Sequence, residues 1–211
     1  MRARAVRGMR PLAGALGVAA LLGGLAAGQA AAQTAGPVAV RTASRSGLWL
    51  DAGIGYGRLR LTCATCTNIV ALNGPAYTAT LGFAVSQNVL LGVQGQSWSG
   101  NGGARQRVRS AVAIVQWYPW PAARFFVRSG VGIVQGTVSL TADTTGAHTA
   151  RGTGVNLTVA AGYDLALTRH LAVAVQAATH VAALGDLAVG GAIASDVIAY
   201  VSRIGVAVVW R

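Results

Sequence analysis

Between Gly47 and Arg211 the chain alternates apolar residues with polar or small ones in eight successive runs. In LWLDAGIGYGRLRL, Leu48, Leu50, Ala52, Ile54 and Tyr56 share one parity, and Trp49, Asp51, Gly53, Gly55 and Gly57 the other. AYTATLGFAVS sets Tyr77, Ala79, Leu81, Phe83 and Val85 against Thr78, Thr80, Gly82 and Ala84, and LLGVQGQSW sets Leu91 and Val93 against Gln94, Gln96 and Trp98. The fourth run, RVRSAVAIVQWY, is apolar on both faces. The fifth, RFFVRSGVGIVQG, opposes Phe125, Val127, Val131 and Ile133 to Arg128, Gly130 and Gly132. VNLTVAAGYDLAL opposes Val155, Leu157, Val159, Ala161, Tyr163 and Leu165 to Asn156, Thr158, Gly162 and Asp164. LAVAVQAATHVAAL opposes Leu171, Val173 and Val175 to Gln176 and His180. SRIGVAVVWR carries Ile204, Val206, Val208 and Trp210 on one parity. Period two is the side-chain repeat of a strand.

The connections alternate in length. Short ones fall at 86–88, 119–123 and 168–170; longer ones, rich in Gly, Thr, Ala, Asn and Asp, are expected at about 62–75, 99–106, 141–153 and 185–196. Eight strands with short turns at one end and longer loops at the other predict an antiparallel up-and-down barrel. The polar parity is small and glycine-rich, which suits a tight interior. The apolar parity then faces outward, an arrangement that only a membrane permits. Trp49, Phe83, Trp117, Tyr118, Trp120, Phe125, Phe126, Tyr163 and Trp210 cluster near the short turns, where an interfacial aromatic belt is expected. A helical reading conflicts with the 29 glycines, each of which disfavours helix by roughly 1 kcal/mol.

The first 46 residues follow another pattern. Arg2, Arg4, Arg7 and Arg10 precede the apolar stretch Leu12 to Ala27, and Ala30-Ala31-Ala32 follows it. Residues 1–32 thus read as a cleaved secretory signal peptide, 33–46 as a short lead-in and 47–211 as the barrel. The formal charge of +12, less the four leader arginines, is +8, with no Lys and no Glu anywhere. Export, and the lack of any helix-turn-helix, zinc or stacking signature, argue against nucleic acid as partner.

The runs together resemble the small eight-stranded outer-membrane barrels of Gram-negative bacteria, the OmpA-like or opacity-type porin family. The resemblance covers about residues 47–211 and is loose except in the last strand. There Arg203, Gly205, Val208 and Trp210 match the spacing of the family's C-terminal assembly signal. Trp210 stands where Phe is usual, and Arg211 follows it. The resemblance implies integral outer-membrane localisation, recognition by the barrel-assembly machinery, a monomer, and contact with outer-membrane lipid and lipopolysaccharide. No cofactor is implied, nor a cell-wall-binding domain after the barrel.

Asp51, Arg128, Asp164 and Arg203 all fall on the inward parity, and buried charges need partners, so an Asp/Arg network plugging the lumen is expected. Eight strands leave an interior that side chains fill, which limits any transport to small-solute leakage. Arg58, Arg60, Arg105, Arg107 and Arg109 lie near the loop end and suit lipopolysaccharide phosphates. A bulge among Gly53, Gly55 and Gly57 would reverse the parity of Arg58. Cys63 and Cys66 are expected to form a local disulfide in an oxidising compartment. With no second pair of cysteines or histidines beside them, a metal site is not expected. His148, His170 and His180 are scattered, and only His180 with Ser97 or Ser195 offers even the outline of a hydrolytic set. The expected role is structural or surface-interacting, with a narrow porin next and a lipid-modifying enzyme last.

Overall fold

The computed structural model describes residues 45, 47–63, 70–102, 104–120, 122–140, 148–189 and 192–211. The expected signal peptide, and all of the lead-in but Arg45, lie outside them. Eight strands follow in chain order: β1 (Gly47–Thr62), β2 (Val70–Ala84), β3 (Val89–Asn101), β4 (Ala104–Trp117), β5 (Phe125–Leu140), β6 (His148–Ala166), β7 (Leu171–Val189) and β8 (Ala192–Trp210). Each pairs antiparallel with its neighbours in sequence, and β8 closes on β1, so the sheet is a closed eight-stranded barrel. Closure removes every free sheet edge. The β1 and β8 backbones come close at Gly55 opposite Gly205, where a Cβ on either residue would strike the facing carbonyl.

The alternation translates directly into sidedness. Leu48, Leu50, Ile54, Tyr56, Leu81, Val131, Ile133, Leu157, Ile204, Val206 and Val208 are all exposed on the outside. The register is unbroken through Gly53, Gly55 and Gly57, so no bulge intervenes and Arg58 stays on the outer face. An apolar exterior around a filled interior cannot be stable in water and spans a membrane. No helix among the described residues is long and apolar enough to cross one; the strands do so instead.

The interior differs from the small, glycine-rich expectation. An apolar layer built on Trp49, Leu90, Val112, Ile114, Tyr118 and Phe126 closes the short-turn end. Another, built on Leu59, Trp98, Val108, Val134, Leu184 and Val201, closes the section toward the loops. Between them lies a polar belt that includes Asp51, Thr80, Gln94, Arg128, Thr158, His180 and Arg203. Trp49, Tyr118 and Phe126 therefore do not belong to the aromatic belt. They point inward and cap the mouth, which needs bulk to exclude water. Phe83, Trp117, Trp120, Phe125, Tyr163 and Trp210 are exposed at that end and form the belt.

Two of the four expected long loops, 99–106 and 185–196, are mostly paired strand. β3 runs to Asn101 and β4 starts at Ala104; β7 runs to Val189 and β8 starts at Ala192. Polar residues between apolar runs read as loop, yet here they are strand extended into water above the lipid. A 19-residue strand such as β6 spans about 60 Å at ~3.3 Å per residue, well beyond what a tilted crossing needs. Pro75 lies inside β2, where a loop was expected. It sits just past Ala76, the last β2 residue paired with β3, so its missing N–H costs that ladder nothing.

Candidate functional site: a bonded lumen and an outer arginine cleft

Strand alternation brings Asp51 and Arg128 together from opposite walls of the barrel. Arg128 Nη2 donates to Asp51 Oδ2 at 2.6 Å, and both side chains are almost fully buried. Asp51 Oδ1 accepts from Thr80 Oγ1 at 3.0 Å, and Thr80 accepts from Gln94 Nε2 at 3.2 Å. On the other side Arg128 Nε donates to Gln116 Oε1 at 2.8 Å, and Gln116 Nε2 donates to the Tyr118 hydroxyl at 2.6 Å. Tyr118 donates in turn to Asp164 Oδ2 at 2.6 Å. The arginine is also sandwiched by aromatic faces, its Cζ 5.2 Å from the Trp49 ring centroid and 5.6 Å from that of Phe126. One hydrogen-bonded chain thus crosses the lumen from β3 to β6.

Asp164 is inward and buried as expected, but its cation is Arg211, with which it forms an ion pair, and neither Arg128 nor Arg203. The departure after Trp210 thereby has a structural role. Trp210 faces outward while Arg211 turns into the mouth, where its Nη2 also donates to the Tyr118 oxygen at 2.7 Å. Arg45 covers the same ring with its Cζ 3.5 Å from the centroid, and its guanidinium donates to the carbonyls of Gln87 and Ala123. Burial, and next the Asp164 charge, push the Tyr118 hydroxyl pKa up, so it remains a donor.

Arg203 departs from the expected network. It is buried beside Gly57, yet among the described residues it makes no ion pair, and its Nε has no hydrogen-bond partner. In place of the expected four-membered network there are two Asp/Arg ion pairs, joined through Gln116 and Tyr118, and an arginine outside both. Thr80, Gln94, Gln116, Tyr118 and Arg211 complete the two pairs; none was expected in the network, and Tyr118 and Arg211 drew notice only as a belt aromatic and as the residue after Trp210. Inward parity alone identifies the strand members among them.

His180 Nδ1 lies 2.7 Å from Thr158 Oγ1 inside the barrel. Ser97 shares the outward parity of β3, so the barrel wall separates it from His180. Ser195 lies well up β8 from Val201, the residue paired with His180. No hydrolytic set is assembled among these residues. His170 holds the strand end, its Nδ1 2.9 Å from the Arg211 carbonyl. The side chain of His148 lies outside the described residues. Cys63 is disulfide-bonded, and Cys66 lies outside the described residues. No group of three His, Cys, Asp or Glu suited to a metal occurs among the described residues.

The loop-end arginines divide into two groups. Arg58 and Arg60 are exposed on β1, paired with Ser202 and Tyr200 of β8. Arg105, Arg107 and Arg109 stand outward on β4 and are joined by Arg151 of β6. Gln135, Thr137 and Ser139 of β5 form the floor between them, and the cleft holds about 340 Å³. Register makes rows across the three strands: Arg109–Gln135–Thr153, Arg107–Thr137–Arg151 and Arg105–Ser139–Thr149. Arg151 was expected in a loop; it is on a strand because β6 continues to His148.

No family model and no curated protein matches the sequence. Solved structures do. The attachment invasion locus protein Ail of Yersinia pestis, in complex with the heparin analogue sucrose octasulfate, is 11% identical, with 78% of this chain and 99% of that one covered at a TM-score of 0.56. Neisserial surface protein A is 13% identical, covering 77% and 97%, at 0.52. The outer membrane protein OprG from Pseudomonas aeruginosa is 11% identical, covering 81% and 99%, at 0.50. At such identities the likeness is one of fold, and it joins the closed antiparallel sheet and apolar exterior in a single conclusion: the chain has the architecture of the small eight-stranded barrels of the bacterial outer membrane.

Proposed function

We propose that the protein is an integral outer-membrane barrel with a structural or surface-interacting role, closed to diffusion and without catalytic function. The carrying observation is the bonded chain from Gln94 through Asp51, Arg128, Gln116 and Tyr118 to Asp164. It crosses the lumen and enters the lower apolar layer at Tyr118, with the other apolar layer above it toward the loops, and an ion or sugar would have to disrupt both layers and the chain to pass. A charge-gated narrow porin needs its ion pair to be the sole barrier, and the large side chains of the two apolar layers argue against that. Arg203, Gly205, Val208 and Trp210 serve biogenesis in this reading, as the assembly signal in the last strand. β8 sets Val208 and Trp210 on the lipid side and Arg203 and Gly205 on the lumen side.

The test is conductance in planar bilayers. The wild-type barrel is expected to give no discrete steps above the bare membrane, and so is the Asp51→Ala/Arg128→Ala variant, because the apolar layers remain. Steps from the wild type that change in the variant would replace this reading with the narrow porin.

A further inference from the structure

We infer that the cleft of Arg105, Arg107, Arg109 and Arg151 binds the phosphorylated headgroup of a glycolipid in the surrounding leaflet. The inference rests on the membrane-spanning part of the reading above and specifies a lipid partner for it.

Charge is the first argument. Four arginines converge on one cleft, and no carboxylate is among the described residues that line it. Like charges held about 10 Å apart, the width of two strand spacings, repel one another weakly in water, and an anion seated between them is attracted to both. Arg107 and Arg151 face each other at that spacing across Thr137. Guanidinium forks bind phosphate oxygens bidentately, and the hydroxyls and amide of Thr137, Ser139 and Gln135 can supply further donors from below. A space of about 340 Å³ lies within the range of small-ligand sites.

Position decides between a lipid and a soluble polyanion. The first polar row on this wall is Arg109–Gln135–Thr153. The row directly beneath it is Ala111–Ile133–Val155, and Ile133 and Val155 are among the most exposed apolar side chains of the barrel. The cleft therefore opens sideways at the upper edge of the apolar band. A molecule with acyl chains packs them on Val131, Ile133, Val155 and Leu157 while its phosphates reach the arginines above. A soluble glycan has no use for that apolar wall. Arg58 and Arg60 lie over β1 and β8, outside this site; their neighbours Ser202 and Tyr200 provide no facing cation.

The experiment compares wild type, Arg107→Gln/Arg151→Gln and Arg58→Gln/Arg60→Gln in phosphatidylcholine nanodiscs. These contain bisphosphorylated lipid A or its dephosphorylated counterpart. Compact migration of the unheated protein on a gel certifies each barrel as folded, and mass spectrometry counts lipid A retained per protein. The wild type is expected to retain the bisphosphorylated form at least tenfold over the dephosphorylated one. That preference should vanish in Arg107→Gln/Arg151→Gln and persist in Arg58→Gln/Arg60→Gln. No preference in the folded wild type overturns the proposal, and this arm needs no variant to fold. Equal loss in both variants overturns it too, since diffuse rim charge then suffices. Heparin binding in lipid A-free discs, without lipid A preference, assigns the cleft to a soluble polyanion instead. A protein that never reaches the compact form in a bilayer would overturn the barrel reading itself, a result separate from any of these.

Discussion

Two storeys of the same lumen handle buried charge in opposite ways. Near the short turns Asp51 faces Arg128, Asp164 faces Arg211, and a continuous hydrogen-bonded chain joins both aspartates. One storey toward the loops, Arg203 Nε, His180 Nε2, Gln96 Oε1, Asn156 Oδ1 and both polar atoms of Gln176 have no partner among the described residues. The lower storey also leaves Trp49 Nε1, Arg128 Nη1, Asp164 Oδ1 and Arg211 Nε unpartnered, but its three charged groups among these are each ion-paired through another atom. The scarce component is acid. The chain has five Asp and no Glu against 17 Arg, and of the described residues only Asp51 and Asp164 are acids buried inside the barrel. Each is committed to one arginine of the lower storey. A buried charge is rigid where a counter-charge and aromatic faces fix it. The upper storey has polar groups without that scaffold. It contributes volume to the plug and little specific bonding.

The largest effect should come from unbalancing the lower pair. Arg128→Met leaves the Asp51 carboxylate buried with no cation, which costs about 3–5 kcal/mol. Urea unfolding in detergent, followed by loss of compact migration, should show the midpoint falling sharply. Asp51→Asn combined with Arg128→Met removes both charges and should recover most of that loss. If the double variant is as unstable as the single one, packing by the arginine stem dominates and the charge contrast between storeys fails.

A smaller effect is expected at the mouth. Asp164→Asn keeps the shape but removes the charge that Arg211 and Tyr118 share, and Arg211 is partly solvated. A loss of about 1–3 kcal/mol is the scale for a charged hydrogen bond. Arg211→Gln should give a similar loss by the same unfolding assay, and the two should be non-additive because they remove one interaction. Additive losses would mean that Asp164 depends mainly on Tyr118.

Much of this was legible in the sequence, and parity was the informative signal. The alternation assigns Asp51, Arg128, Asp164 and Arg203 to the inside, and it also assigns Phe126 there, in phase with Arg128, and Trp49, in phase with Asp51. Proximity to the short turns misleads for these two aromatics, because the mouth of a narrow barrel needs bulk as much as the lipid interface does. Pairing across the lumen is a different matter. Asp164 meets Arg211 because the last residue turns inward past Trp210, and no periodicity encodes such a reach. Arg151 escaped for a third reason. Gly, Thr and Ala around it read as loop, while β5 and β6 continue as paired strand above the membrane. Its place in the cleft follows only from the Arg107–Thr137–Arg151 row.

The smallest effect belongs to Arg203, and it tests the comparison most sharply. A buried arginine held in an ion pair is costly to remove; one outside any ion pair has incurred the desolvation cost largely unrewarded. Met has similar length, keeps the stem packed over Gly57 and removes the guanidinium. Arg203→Met should therefore change the unfolding free energy by no more than about 1 kcal/mol in either direction, with stabilisation the favoured sign. The same substitution at Arg128 removes a guanidinium of nearly equal burial, so the difference between the two variants isolates the partner from the burial. A loss at Arg203 matching that at Arg128 would mean that the upper storey is as tightly bonded as the lower, and that its charge is held by something other than Asp51 or Asp164.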